Sequence, residues 1–276
     1  MLATWNIRGA DVAACTAGGG SRATPLLLLH GYTGSYDDWH VVVPDLAQDR
    51  PVVRYDQRGH GRSARHPAEA YTFDELLADL VAVIEQLDAG PVHLLGHSMG
   101  GCVSLRCALD RPDLLASLVL MDTAARPATP LPLDLIEGVA EMGRTQGMQA
   151  VADMVGPLFA GARPEGAPAP VERPGGNGAS LAQMDAEAFS RFAAELNTYG
   201  PFNERLAEIS MPTTVIVGEN DDGLRDAAID FRDGIAGSVL EVIADAGHSP
   251  QDDQPAAWLS AVRSHLDRCE ESSSGH

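Results

Sequence analysis

Short runs of apolar residues recur along the chain, without the alternation of apolar and polar positions that a half-exposed strand shows. Uninterrupted runs of this length are typical of strands that are buried on both faces, as in a parallel sheet. We therefore predict that they form a mostly parallel sheet. The runs occupy residues 24–29, 51–55, 92–95, 115–121, 213–217 and 239–243.

Segments with helical spacing of apolar positions follow several of these runs. Residues 72–75 read TFDE, a capping box in which Thr72 accepts a hydrogen bond from the Glu75 amide, and the apolar residues after it recur at helical spacing as far as Leu87. This alternation of strands, helices and short connections predicts an α/β fold with helices on both faces of the sheet. Further helices are predicted at 102–109, 224–235 and 255–269, and the tail 270–276 is predicted to be disordered.

The alternation stops between residue 122 and about residue 205. Two helical segments, 139–155 and 182–196, flank a stretch at 161–178 that is dense in proline and glycine. A hinge of this length inside a compact domain is usually functional or disordered. We interpret residues 125–204 as an inserted helical cap, and residues 1–124 together with 205–276 as the α/β core into which it is inserted.

The charge of the chain narrows the range of partners. Its 276 residues include 19 basic and 39 acidic side chains, which gives a formal net charge of −20. Nucleic acids and anionic membrane surfaces both bind proteins through clustered positive charge, so we predict neither as a partner. The chain has no apolar run long enough to span a membrane, and its first residues do not read as a signal peptide, so we expect a cytoplasmic protein.

All 19 basic residues are arginine. The absence of lysine removes Schiff-base chemistry and a lysine-containing phosphate loop from consideration. The four cysteines form no C-x-x-C pair and lie in no histidine-rich spacing. We therefore expect neither a metal ion nor another cofactor.

Residues 96–100 read GHSMG, a G-x-S-x-G motif placed directly between an apolar run and a predicted helix. A nucleophile elbow requires that context, because its serine occupies a tight strand-to-helix turn that leaves room only for small neighbours. The N-terminus of the following helix favours negative charge that develops at the site. Ser98 is therefore the candidate nucleophile.

A serine hydroxyl needs a base, and the base needs a third group to orient it. Among the nine histidines, His248 follows the last predicted strand, at the carboxyl edge where open α/β sheets bind ligands. His265, by contrast, is predicted to lie at the surface. The loop after residues 213–217 makes Asp221 the first candidate for the acid, with Asp122 and Asp222 left as alternatives. Turn hydrogen bonds are the expected role of His30, His60 and His97.

The chain order serine, acid, histidine, together with the elbow, resembles the α/β-hydrolase superfamily. Further segments share the resemblance. Residues 30–34 (HGYTG) look like the oxyanion loop of that family, residues 56–63 (DQRGHGRS) like its D-x-R-G-x-G-x-S loop, and residues 218–221 (GEND) like its acid loop. After His248, Asp253 stands where the family pattern has glutamate, which is a conservative departure.

The resemblance implies a role for each candidate residue. Ser98 would be the nucleophile, His248 the general base and then acid, and Asp221 the group that orients the imidazole. The backbone N–H groups of Tyr32 and Met99 would form the oxyanion hole. The implied fold is an α/β-hydrolase fold with an inserted helical cap.

Serine at the elbow, where related enzymes with the same fold carry aspartate, favours acyl transfer. The expected activity is hydrolysis of a carboxylic ester, or of a lactone or thioester, with a small apolar molecule as substrate. Family members that hydrolyse carbon–carbon bonds usually have asparagine before the serine and tryptophan after the histidine, where this chain has His97 and Ser249. Carbon–carbon hydrolysis, a proton-abstracting lyase and a small-molecule sensor are the alternatives.

Overall fold

The computed structural model describes residues 1–20, 23–127, 130–160 and 178–274. Within these residues eight strands form one sheet in the order β1-β2-β4-β3-β5-β6-β7-β8. The pairs from β4 to β8 are parallel, and β2 pairs antiparallel with both β1 and β4. The predicted α/β class with a mostly parallel sheet is confirmed. The strands are β1 (Leu2–Ile7), β2 (Ala10–Ala17), β3 (Leu26–Leu29), β4 (Val52–Tyr55), β5 (Val92–His97), β6 (Leu115–Met121), β7 (Thr213–Gly218) and β8 (Val239–Ile243).

Ten α-helices occur in the same described residues, several of them only one turn long. The Thr72 side chain caps α2 as predicted, because its hydroxyl accepts a hydrogen bond from the Glu75 amide at 3.3 Å. No helix in the described ranges is long and apolar enough to cross a membrane. The helices are α1 (Val43–Leu46), α2 (Phe73–Leu87), α3 (Met99–Asp110), α4 (Leu133–Gln146), α5 (Met148–Ala160), α6 (Ala179–Ala182), α7 (Ala186–Thr198), α8 (Asp222–Gly234), α9 (Pro250–Asp253) and α10 (Pro255–Ser274).

Two apolar cores cover the two faces of the sheet. Successive side chains of a strand point to opposite faces, so Leu27 and Leu29 pack with α2, α3 and α8, whereas Leu26 and Leu28 pack with α1 and α10. All four leucines of β3 are fully buried. Burial on both faces explains why the sequence of this strand is continuously apolar.

The hairpin β1–β2 was not predicted from the sequence. Its two-residue turn consists of Arg8 and Gly9, with φ angles of 52° and 84°. Such a turn is usually recognised from Asn-Gly or Asp-Gly, whose first residue tolerates positive φ. An arginine at that position carries no such signal, and the exposed positions of β1 give it a weak apolar pattern.

The segment between β6 and β7 is helical, but its helices differ from those predicted. The predicted helix 139–155 is two helices, α4 and α5, separated at Gly147, whose φ is 89°. The predicted helix 182–196 begins later than expected, at Ala186, where the Asp185 side chain caps α7, and the separate one-turn helix α6 ends at Ala182. Residues 161–177 of the proline-rich stretch lie outside the described residues. The division into a core and a cap at residues 125–204 stays a prediction.

The predicted disorder from residue 270 onward is wrong for residues 270–274, because α10 continues through Ser274. Arg50 explains part of the extension. Its guanidinium is almost fully buried and lies 2.7 Å from the Glu270 carboxylate. The ion pair gives α10 an attachment beyond the predicted end at residue 269. Residues 275 and 276 lie outside the described residues.

The prediction of a surface position for His265 is also wrong, since its side chain is buried between α10, to which it belongs, and the sheet. Its Nε2 and the Nδ1 of His93 each lie 2.7 Å from the Ser117 hydroxyl, and its Nδ1 lies 2.8 Å from Thr214 Oγ1. The hydroxyl groups of two neighbouring strands therefore satisfy the polar atoms that the burial of this histidine would otherwise leave unpaired.

We predict that these two histidines make folding sensitive to acid. Burial lowers the pKa of His93 to about 4 and that of His265 to about 3, from an ordinary value of 6.5. Between the ordinary pKa of 6.5 and these lowered values, only the unfolded chain binds the protons. The free energy of unfolding therefore falls as the pH is lowered from 6.5 toward 4, by about 1.4 kcal/mol per pH unit for each histidine.

Urea denaturation between pH 7 and pH 4.5 checks this expectation. The variant His265→Gln keeps two hydrogen-bonding groups but binds no proton. Its free energy of unfolding should therefore fall less steeply with decreasing pH than that of the native chain, by about 1.4 kcal/mol per pH unit. An unchanged slope would contradict the prediction.

Candidate active site

Ser98 lies in the sharp bend between the end of β5 and the start of α3. Its φ and ψ are 53° and −118°, a conformation that costs a non-glycine residue about 1–3 kcal/mol. Hydrogen bonds hold it there: its N–H donates to the carbonyl of Met121 on β6, and its carbonyl accepts from the Thr123 hydroxyl at 2.7 Å. The bend projects the Ser98 side chain beyond the carboxyl edge of the sheet.

The two glycines of the G-x-S-x-G motif are required by close packing. A Cβ on Gly96 would collide with the Ser104 hydroxyl and with the backbone of Gly100. A Cβ on Gly100 would lie 2.5 Å from the carbonyl oxygen of His30, on the loop after β3. These absent side chains let α3 approach β5 and the β3 loop closely enough to form the elbow.

His248 and Asp221 continue from Ser98 in a chain of hydrogen bonds. The Ser98 hydroxyl lies 3.0 Å from His248 Nε2, and His248 Nδ1 lies 2.7 Å from Asp221 Oδ2. Because a carboxylate only accepts hydrogen bonds, Nδ1 carries the proton and Nε2 is free to accept one from Ser98. The structure thus brings together the serine, the histidine and the first-choice acid of the sequence analysis.

The loops after β7 and β8 hold this arrangement by packing against each other. A Cβ on Gly218 would collide with Gly247, the residue before His248. The Asn220 N–H donates to the carbonyl of Ala246 at 2.8 Å, and the Gly247 N–H donates to Asp253 Oδ2 at 2.9 Å. Asp253, the residue that stands in place of the family's glutamate, therefore fixes the backbone directly before His248.

The other two candidate acids occupy different positions. Asp222 is exposed in the first turn of α8. Asp122 is 1% exposed at the end of β6 and accepts a hydrogen bond from the Gly218 N–H at 2.9 Å. Burial alone would raise the pKa of Asp221, but the hydrogen bond from His248 and the charge of that ring lower it below its ordinary value. Asp221 is thus the ionised carboxylate that faces the imidazole.

The loop after β3 lies against the nucleophile. A Cβ on Gly31 would be only 3.0 Å from the Ser98 Cβ, so the backbone that leads into Tyr32 passes beside the elbow. Met99 is the first residue of α3, where an N–H has no acceptor within the helix. The Tyr32 hydroxyl donates to the carbonyl of Phe189 on α7, and the two rings stack with centroids 5.4 Å apart.

Residues 56–63, the D-x-R-G-x-G-x-S loop, pack against the loop after β3 and support it. The buried Asp56 carboxylate accepts from the N–H groups of Tyr36 and Arg62, both at 2.8 Å. The Gln57 side chain donates to the carbonyl of His30 at 2.7 Å, and the Gln57 N–H donates to the His30 ring at 3.0 Å. These contacts fix the backbone from His30 to Gly31 next to Ser98.

The contact that His97 makes was not predicted from the sequence, which indicated only a turn hydrogen bond. His97 Nε2 donates to the backbone carbonyl of His248 at 2.7 Å, and the two rings lie 4.9 Å apart. The residue before the nucleophile therefore holds the backbone of the base. Its position within the elbow motif was visible in the sequence, but its partner is 151 residues away.

A sequence profile of the alpha/beta hydrolase fold family matches residues 24–255. The chain belongs to the α/β-hydrolase fold family. The resemblance inferred from the motifs is thereby confirmed, and so is the predicted fold class.

Among curated relatives, the sn-1-specific diacylglycerol lipase of Danio rerio is 40% identical over 102 residues, which are 36% of this chain and 32% of the relative. The chain spans about a third of the length of the first curated relatives that it matches. Among solved structures, a thermophilic esterase from Thermogutta terrifontis has a TM-score of 0.80 and 26% identity, covering 98% of this chain and 99% of that chain.

An enol-lactonase from Burkholderia xenovorans shares the fold, with a TM-score of 0.79 and 22% identity, covering 96% of this chain and 100% of that chain. The relatives named here hydrolyse esters or lactones, as their names state. The predicted hydrolase of ester bonds agrees with them.

Two groups of side chains in the described part of this α/β-hydrolase have the donors to hold a metal ion. Asp122, Asp221 and His248 form one, and His93, His265 and Cys269 form the other. In the first, the hydrogen bonds of His248 with Ser98 and Asp221, and that from the Gly218 N–H to Asp122, occupy both ring nitrogens and one oxygen of each carboxyl group. In the second, Ser117 and Thr214 lie within hydrogen-bond distance of the ring nitrogens of His265. The absence of a metal or other cofactor stays a prediction.

We predict that Gly100→Ala lowers the stability of this α/β-hydrolase by about 1–3 kcal/mol, because the new methyl group overlaps the carbonyl oxygens of His30 and Leu29. Gly138→Ala is the matched control, since Gly138 is exposed in the helix α4 and its Cβ would meet open space. The control should be neutral or about 0.5–1 kcal/mol more stable. Urea denaturation measures both, and equal effects would contradict the packing argument.

Proposed function

We propose that this protein is a serine hydrolase that cleaves a carboxylic ester, or a lactone or thioester, of a small apolar substrate through an acyl-enzyme intermediate. One observation carries the proposal: the Ser98 hydroxyl is 3.0 Å from an imidazole nitrogen of His248, whose other nitrogen is 2.7 Å from Asp221. Nucleophilic catalysis by serine needs such a chain of base and orienting acid.

In the first half of the reaction, Ser98 Oγ attacks the carbonyl carbon of the substrate while its proton passes to His248 Nε2. Asp221 keeps the proton of the neutral imidazole on Nδ1 and stabilises the imidazolium that forms. His248 then gives the proton to the leaving alcohol as the carbon–oxygen bond breaks, which leaves Ser98 acylated. Water repeats the sequence, with His248 as its base, and releases the acid.

The oxyanion of each tetrahedral intermediate needs hydrogen-bond donors that are in place beforehand. We assign this role to the backbone N–H groups of Tyr32 and Met99, which are carried by the loop against Ser98 and by the first turn of α3. A donor of this kind is worth about 3–4 kcal/mol in the transition state. Because both donors belong to the backbone, a substitution of either side chain should affect the chemistry only indirectly.

An apolar substrate is favoured by the aromatic contact next to the proposed oxyanion hole. Tyr32 stacks on Phe189 of α7, within the segment 125–204 that we propose as a cap. Burial raises the pKa of the Tyr32 phenol far above its ordinary value, so the group is a neutral hydrogen-bond donor there. We further propose a small molecule as the partner, because the net charge of −20 disfavours nucleic acids and anionic membrane surfaces. We propose the cytoplasm as the location, because the four cysteines are free thiols, which fits a reducing compartment.

We predict that a fluorophosphonate labels Ser98 and that p-nitrophenyl acetate and butyrate give a burst followed by steady release. Ser98→Ala should abolish the label and lower kcat at least about 10⁴-fold, because the nucleophile is gone. Peptide mass spectrometry locates the label, and a series of p-nitrophenyl esters of increasing acyl length measures how much apolar chain the site accepts. Binding of esters without product release would overturn the proposal in favour of a sensor. Labelling of another residue would exclude Ser98 as the nucleophile.

We predict that Asp221→Asn leaves folding intact and lowers kcat by about 10⁴-fold, since an amide does not stabilise the imidazolium and disfavours the required tautomer. The matched control is Asp222→Asn, the exposed neighbour in the first turn of α8, which should retain native kcat. Initial rates with p-nitrophenyl butyrate test both. Near-native rates in Asp221→Asn would exclude Asp221 as the orienting acid.

A further inference from the structure

We propose that Asp122 is a positioning residue that stays protonated at neutral pH and donates a hydrogen bond to the Asp221 carboxylate. The juxtaposition of the two carboxyl groups at the ends of the neighbouring strands β6 and β7 supports it. The inference rests on the proposed function, because the orientation of Asp221 matters only if Asp221 serves His248.

Hydrogen bonds with the neighbouring strand β7 hold Asp122 in place. Its backbone N–H donates to the carbonyl of Ile216 on β7 at 3.0 Å, and its Oδ1 accepts from the Gly218 N–H at 2.9 Å. The residue is 1% exposed and adopts a φ of 43°, an uncommon value for a residue with a side chain. Two hydrogen bonds with β7, one from the Asp122 backbone and one to its side chain, thus hold the carboxyl group at the end of that strand.

The other oxygen of the Asp122 carboxyl group, Oδ2, is buried. No N–H or hydroxyl of the described residues donates to Oδ2. One oxygen of the Asp122 carboxyl group lies within 4.8 Å of a carboxylate oxygen of Asp221 and of a ring nitrogen of His248. Two carboxylates can form a hydrogen bond only if one of them carries a proton.

The surroundings decide which of the two carries it. Asp221 faces the His248 ring and interacts electrostatically with His97, and both histidines favour its ionised form. Burial raises the pKa of Asp122 well above its ordinary value, the charges of Asp221 and Asp253 raise it further, and only the Gly218 N–H opposes them. When two carboxyl groups lie this close together in a buried place, the negative charge of one raises the pKa of the other, so they do not both ionise at neutral pH. Asp122 is the protonated member.

The protonated acid has two effects on the proposed reaction. Its hydrogen bond fixes the Asp221 carboxylate in the plane that meets His248 Nδ1, and a fixed orientation is what a third group contributes to a catalytic histidine. It also keeps a single negative charge beside the imidazole. A second charge would favour the protonated ring, which could not accept a proton from Ser98.

The experiment compares Asp122→Asn and Asp122→Ala in the full chain. Asparagine keeps the acceptor for Gly218 and a donor for Asp221, so it should retain most of the native kcat toward p-nitrophenyl butyrate. Alanine removes both and should lower kcat about 10–100-fold with a smaller change in KM. Retention in Asp122→Asn contrasts with the loss expected in Asp221→Asn, where the same amide replaces an ionised group.

A spectroscopic measurement tests the protonation directly. The infrared spectrum of the native protein at pH 7 should contain the carbonyl stretching band of a protonated carboxylic acid, which disappears in Asp122→Asn and persists in the control Asp222→Asn. This result does not depend on turnover. If no ester is hydrolysed and the band still disappears, the proposed function fails while the protonation of Asp122 holds.

Two results would overturn the inference. One is a band that is unchanged in Asp122→Asn, which would show that Asp122 carries no proton. The other is a loss of kcat in Asp122→Asn as large as that in Asp221→Asn, which would show that Asp122 acts as an ionised carboxylate.

Discussion

The backbone of Ser98 is the constraint on which the rest of the site depends. Its positive φ turns the chain from β5 into α3 within one residue, and this sharp turn leaves the side chain at the edge of the sheet. The cost, about 1–3 kcal/mol, is offset by contacts from β6 and the loop after it, where Met121 accepts from the Ser98 N–H and the Thr123 hydroxyl donates to the Ser98 carbonyl. The glycines at 96 and 100 follow from the same constraint, because the turn forces α3 against β5 and the β3 loop.

Much of this architecture could be predicted because it is encoded locally. The buried strands need continuous apolar runs, the elbow needs glycine at two fixed positions, and His248 follows the last strand of the sheet. What escaped prediction depends on distant partners: the burial of His265 against Ser117, and the bond from His97 to the carbonyl of His248. The choice between Asp221 and Asp122 was open for the same reason, since only the spatial order of β6 and β7 shows which carboxyl group meets the imidazole.

Helices between β6 and β7 are joined to the loop beside Ser98 by side-chain contacts. The Tyr32 hydroxyl donates to the carbonyl of Phe189 on α7, and the hydroxyls of Ser35 and Ser180 lie 2.9 Å apart. Tyr32 thus has two parts with separate partners: its N–H lies on the backbone that passes Ser98, and its phenol reaches α7. The position of α6 and α7 is therefore coupled to the loop that we assign to the oxyanion hole.

The order of these groups along the chain has a consequence for biosynthesis. The elbow leaves the ribosome early, but the imidazole that contacts Ser98 is 150 residues further on, in a loop that follows the edge strand β8. Contacts between such distant segments form late in folding, after the local elements. An unfinished or truncated polypeptide would carry the Ser98 hydroxyl without the imidazole that contacts it, until the last two strands have joined the sheet.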